Sequence, residues 1–425
     1  MDSIPIGIRE DTTTHEPFYI QDRRRHLVCW GQTGVGKSTL LQNIADYNIR
    51  EGQGVTVIDP HGSIVENLLK RIPKNRTKDV IYINPQLTQV VGINIFEGVG
   101  RDDQKVSSIV DSFAKIFKDA WGFQSEQLLR WGCYAMLEQP RPATFITLKR
   151  FYSDQEFRRR CLKHVRNPSV LLFFSEYDSK AWDKLRAERT APLLNKIDQF
   201  VTNSLVRSVI GQKGASFDFR QMIDRGQILL CNLSEGGIGK QEAAMLGGFI
   251  FSKIFFAGLS RQDVQEKDRR LHTIIIDEFQ NFINAPIDYV LAESRKYALS
   301  LNLGTQIASA LPVHIRESIF GNAGTNAVYR VGGVDAEILI KELSTNKPSY
   351  LLQDLADYRA YVRTLAYDPR KDAMRPVGPF LVRMYPPSIR QGNEQKKEVV
   401  ISQSLKWFGK PRDMILRKID EELRL

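Results

Sequence analysis

The chain has 425 residues, 42 % hydrophobic, 26 % charged and 10 % aromatic, an ordinary globular composition with room for two or three domains, or one large α/β core with an insertion. A net charge of +11 and a pI near 9.4 favour an acidic partner, DNA or RNA first. Four scattered cysteines without a C-x-x-C pair speak against a zinc ribbon, and the N-terminus lacks the apolar run of a signal peptide.

Residues 1–22 are polar, with Pro5, Gly7 and Pro17, and read as a lead-in. The first half of an α/β core is expected over 23–100. It begins with a strand at Leu27–Trp30, followed by Gly31-Gln32-Thr33-Gly34-Val35-Gly36-Lys37-Ser38 and then a helix from Thr39 with Leu40, Leu41, Ile44 and Ala45 on one face. This run fits G-x-x-x-x-G-K-[ST] in its required strand–loop–helix setting. Its glycines let backbone N–H groups face phosphate oxygens, and the helix N-terminus adds a positive dipole end. Residues Gly31 through Thr39 are thus expected to cradle ATP, with Lys37 on the β- and γ-phosphates and the Ser38 hydroxyl on Mg²⁺. A second strand, Val55–Ile58, ends in Asp59-Pro60-His61-Gly62, where Asp59 either orders water or ribose or simply makes a turn. A third strand is expected at Val80–Ile83.

Over 101–211 strand signals vanish and helical periodicity takes over, so an all-helical insertion is expected, with one long helix spanning Lys184–Ile210. The second half of the core is expected over 212–345. Its elements are a strand at Gln227–Asn232, a buried helix at Gly239–Leu259, a strand from Leu271 ending in Asp277 and Glu278, a helix Pro286–Tyr297, a strand Leu299–Thr305 closing at Gln306, a strand Asn326–Val331 and a helix Asp335–Leu343. Residues 346–425 hold two further strands, Ala360–Ala366 and Phe380–Tyr385, and an amphipathic helix at Arg412–Leu423. The alternation predicts a mostly parallel, doubly wound sheet. The longest apolar stretch, Leu246–Leu259, is interrupted by Ser252 and Lys253, so no integral membrane segment is expected.

The chemistry gathers at strand ends. A strand beside the phosphate-loop strand is expected to bring Asp277 to the metal, with Glu278 polarising the attacking water. Gln306 is placed to touch the γ-phosphate or that water. Arg295 either complements its own helix C-terminus or crosses a subunit boundary as an arginine finger, with Arg330 the competing finger. Lys213, Lys240 and the runs Arg23–Arg25 and Arg158–Arg160 are candidate DNA-backbone contacts.

The order of these motifs, from Arg24-Arg25-His26 through the phosphate loop, Asp59–Gly62, Ile276–Phe279 and Arg295–Tyr297 to Thr305-Gln306, resembles the HerA/FtsK superfamily. Within it the chain is most similar to the coupling-protein ATPases of type IV secretion and conjugation, over residues 23–385. The resemblance implies a RecA-like P-loop core with a helical insertion, assembled as a homohexameric ring around DNA. Lys37 and Ser38 would bind nucleotide and metal, Asp277 and Glu278 would be the second metal-site acid and catalytic base, Gln306 the sensor and Arg295 the finger acting on a neighbouring subunit. Secretion or DNA-processing proteins would be partners, in the cytoplasm or at the inner face of the membrane. Two other functions fit the same residues: an ATPase energising protein secretion, and a nucleotide-switched cargo adaptor.

Overall fold

Four largely apolar runs and the alternating stretch Leu299–Thr305 condense into strands whose residues are buried without a break, the pattern of a parallel sheet covered on both faces. The computed structural model describes residues 3–11, 13, 15–282, 287–387 and 392–424. It divides into two compact units, the first made of 1–81, 221–232 and 261–403, the second of 82–220, 233–260 and 404–425.

The first unit carries β1 (Ile4–Arg9), β2 (Pro17–Ile20), β3 (His26–Trp30), β4 (Gly54–Asp59) and the start of β5 (Val80–Ile83). After β6 (Gln89–Val91), which belongs to the second unit, come β7 (Ile228–Asn232), β8 (His272–Ile276), β9 (Leu299–Thr305), β10 (Ala323–Val328), β11 (Arg359–Asp368) and β12 (Ala373–Met384). The eleven-stranded sheet runs β2-β1-β12-β11-β10-β3-β9-β8-β4-β7-β5. From β10 to β7 every neighbouring pair is parallel, and from β10 outward through β11, β12, β1 and β2 every pair is antiparallel.

Three expectations change in this unit. Residues 1–22 supply β1 and β2, whose alternating Ile4, Ile6, Phe18 and Ile20 are buried; Pro5, Gly7 and Pro17 had masked that alternation. The phosphate-loop strand β3 does not adjoin β8, the strand leading to Asp277, because β9 is inserted between them. The expected helix Pro286–Tyr297 is a helix Ile287–Ser294 followed by a 3₁₀ turn Arg295–Tyr297; Pro286 lies outside the described residues.

In the second unit, residues 102–210 form seven helices and no strand among the described residues. The helix expected over Lys184–Ile210 is two, Arg186–Thr202 and Ser204–Ile210. They part at Asn203, whose side chain accepts from Leu205 N at 3.0 Å and caps the second. Phe113, Phe145 and Phe200 pack with ring centroids 5.4 and 5.7 Å apart, core rather than surface aromatics. The helix Lys240–Leu259 is apolar all round and mostly buried, as a central core helix must be. A two-stranded ribbon pairs β6 with β13 (Gly409–Pro411) and leads into the C-terminal helix Arg412–Arg424.

Two buried histidines make the first unit acid-sensitive. His26 donates from Nε2 to Leu291 O at 2.7 Å while its Nδ1 accepts from Leu301 N at 3.1 Å, so an added proton would face an N–H. Burial is the main cause that pushes its pKa down to about 4, with Arg295 and Arg25 adding repulsion. His272 bonds Thr56 Oγ1 at 2.8 Å and burial drives it to about 3. Both folded values lie below the unfolded one, so the unfolded chain takes up protons first as the pH falls. Stability is then full above pH ~6.5 and lost progressively toward pH ~4, by up to about 3 kcal/mol from His26. Urea midpoints measured between pH 7.5 and 4.5 should fall with pH, and His26→Gln should flatten part of that slope.

Candidate active site

The carboxyl ends of the parallel strands open on one edge of the sheet, the usual place for a ligand in such a fold. There β3 delivers Gly31–Gly36, and the helix Lys37–Arg50 begins at once. Gly34 and Gly36 adopt φ of +85° and +112°, which side chains resist. At Gly36 a Cβ would also stand 2.9 Å from the Tyr358 ring. Neighbouring strands pin the loop: Gly31 N donates to Thr305 O at 3.2 Å, Gln32 N to Arg330 O at 2.9 Å, and Tyr358 N to Val35 O at 2.9 Å. Lys37 is buried with its Nζ on Gln32 O at 2.9 Å. Burial lowers its pKa, opposed by the charges of Asp277 and Glu278.

Ser38 Oγ donates to Asp277 Oδ2 at 2.5 Å. Together these oxygens suit a hard, oxygen-seeking divalent cation. No cluster of three His, Cys, Asp or Glu able to hold a metal occurs among the described residues, so such a cation would complete its shell with water or ligand oxygens. Gly304 on β9 makes room for this pair, since a Cβ there would lie 2.5 Å from Asp277 Oδ1. Nothing in the sequence analysis singled out Gly304; the one signal that could have found it is a glycine in the interior of a strand, which often marks a close approach.

Glu278 and Gln306 meet. Thr33 Oγ1 donates to Gln306 Oε1 at 3.0 Å, Gln306 Nε2 donates to Glu278 Oε1 at 2.7 Å, and Gln280 Nε2 donates to Glu278 Oε2 at 2.7 Å. A relay thus joins the phosphate loop to the acid through the strand between them. The roles of Thr33 and Gln280 in it were not foreseen. Beside the relay, Gln32, Thr33, Gln306, Gly333 and Asp335 border a cleft of about 460 Å³.

The remaining candidates separate. Asp59 is buried and accepts from the backbone of His61, Ile64 and Val65 at 2.9, 2.7 and 3.2 Å, holding the start of the helix Ser63–Leu69. Arg295 is exposed at the opposite edge, close enough to His26 and Arg25 to perturb both. That is a strand length, about 16 Å, from its own phosphate loop. Arg330 has its guanidinium on Leu355 O at 3.0 Å and Asp357 at 2.8 Å. Lys240 is exposed, whereas Lys213 pairs with Glu422 at 3.1 Å. Among the arginine runs, Arg23 and Arg158 are buried, and Arg158 is bound to Asp178 at 2.5 Å, so neither side chain is available to grip DNA.

Glu278 occupies the left-handed region at φ +53°. Glu278→Gly and Glu278→Ala lose the same hydrogen bonds, but only glycine relieves the backbone. The glycine variant should therefore be the more stable of the two by about 1 kcal/mol in urea denaturation.

No protein-family model matches the sequence, and a search of curated proteins finds no match. Solved structures do match. The unbound bacterial conjugative coupling protein TrwB aligns with a TM-score of 0.61 at 17 % identity, covering 90 % of this chain and 89 % of that one. TrwB in complex with ADP and Mg²⁺ aligns at 0.59 and 16 % identity, covering 87 % and 88 %. VirB4 of Thermoanaerobacter pseudethanolicus aligns at 0.55 and 13 %, covering 92 % and 98 %. With the glycine loop, the acid pair and the inserted strand in place, the chain has a RecA-like P-loop fold, close in architecture to the conjugative coupling protein TrwB.

Proposed function

We propose that this chain is an ATP-hydrolysing, ring-forming DNA translocase. The observation that carries the reading is the relay Thr33–Gln306–Glu278 beside Lys37 and the Ser38–Asp277 pair. A P-loop protein that only binds nucleotide has no need of a carboxylate wired to its loop. The complexes of TrwB with ADP and Mg²⁺ and with a non-hydrolysable ATP analogue support the choice of cofactors. In this reading Gly31–Thr39 cradle the triphosphate, with Lys37 leaving Gln32 O to neutralise phosphate charge. Ser38 and Asp277 would hold Mg²⁺, whose positive charge would offset that of the phosphates. Glu278 polarises the attacking water, and Gln306 reports through Thr33 whether the loop is filled. Arg295 lies too far from its own loop to serve it and acts instead on the nucleotide of a neighbouring subunit, which makes a ring, six-membered by resemblance, the working form. Positive charge in excess by eleven favours sequence-independent grip on a phosphate backbone.

Steady-state ATP hydrolysis measured with and without double-stranded DNA tests this. DNA should raise the rate, high salt should remove the stimulation, and Glu278→Gln should lower the rate by about a hundredfold or more. A robust rate indifferent to DNA would transfer the assignment to the ATPase of protein secretion; no turnover at all would favour the nucleotide-switched adaptor. Arg295→Ala and Glu278→Gln proteins, each inactive alone, should regain part of the activity when mixed, because mixed rings contain interfaces with both groups intact. Failure of that complementation would remove the role of Arg295 in trans. Gly304→Ala should raise the Mg²⁺ concentration needed for half-maximal rate.

A further inference from the structure

We propose that the second unit holds a separate binding site for an amphipathic anion, an apolar chain or ring with a single charged head group. The site is a cavity of about 740 Å³ between the C-terminal helix Arg412–Arg424 and the loop after the helix Ser204–Ile210. That size suits a ligand of a few dozen atoms. Its inner wall is apolar, formed by Phe157, Met414, Ile415 and Ile419. Met414 is left 42 % exposed at this wall, whereas Ile415 and Ile419 are buried beneath it.

The charge around the cavity is not balanced by the protein itself. Lys213 pairs with Glu422 at 3.1 Å. Arg150 is taken up by Asp154 at 3.4 Å and by Glu422 O at 3.2 Å, with its guanidinium 4.5 Å above the Phe157 ring. That leaves Lys410, Lys418 and Glu421, each bordering the cavity and none in an ion pair among the described residues. Two cations against one carboxylate leave one positive charge, which a monoanionic head group neutralises while its apolar body covers Met414 and Phe157. Carboxylate heads, and phosphate heads in their monoanionic form, share this chemistry. Gly211 keeps the helix seated, because a Cβ there would meet Ile419 Cδ1 at 2.7 Å, so the cavity's roof is built into the packing.

The test is a fluorescence titration of the full chain with 8-anilinonaphthalene-1-sulfonate, alongside its uncharged counterpart N-phenyl-1-naphthylamine. One sulfonate probe should bind per chain, more tightly than the uncharged one. Lys410→Ala with Lys418→Ala should weaken it about tenfold, the equivalent of one charged hydrogen bond. Met414→Trp, which fills the apolar wall without changing charge, should abolish it. Displacement by dodecanoate or by dodecyl phosphate then identifies the preferred head group. Equal affinity for both probes, or unchanged binding in either variant, overturns the proposal.

Discussion

The register of the β3–β9–β8 ladder is the constraint on which the site depends. Trp30 lies opposite Thr305, and Leu303 opposite Ile276, so Gly31, Gln306 and Asp277 emerge at the same edge and nearly the same height. A slip of one residue would turn every side chain of a strand to the other face and carry Gly304 away from Asp277. The register is secured because these strands are buried on both faces, so that any slip exposes apolar surface or buries an unpaired polar group.

That rigidity lets charge be kept where water is scarce. Lys37, Asp277 and Glu278 are all nearly buried, and each is tolerated only because the others and the surrounding hydrogen bonds answer it. Removing one member leaves a buried charge without its complement, which is costlier than removing all. The left-handed backbone at Glu278 adds local strain of the kind that collects at functional sites.

Much of this was legible in the sequence. The glycine loop, the acid pair at a strand end and the glutamine closing the next strand each carry a local signal, and the structure brings them together. What was not legible is non-local. Strand order cannot be read from a chain: that β9 would lie between β3 and β8 follows from crossover geometry, and with it the contact of Gln306 with Glu278. Gly304 matters only because Asp277 stands across from it. The opening strands escaped notice because prolines and a glycine interrupt their alternation. Burial of Arg23 and Arg158 was invisible because arginine runs read as surface until their partners are known.

The first unit is assembled from three stretches of chain, with residues 84–227, most of them in the second unit, intervening between β5 and β7. The walls of the phosphate loop, Thr305, Arg330 and Tyr358, are therefore synthesised some 270 to 330 residues after the loop itself. During translation at about 5–20 residues per second, β3 waits many seconds with both of its sheet edges unpaired. Its partners β9 and β10 must then close long loops before any pairing is rewarded, a slow step by the logic of contact order. The nascent chain thus carries a complete nucleotide-loop sequence long before it has a nucleotide site, and shielding of that bare strand falls to whatever meets it at the ribosome.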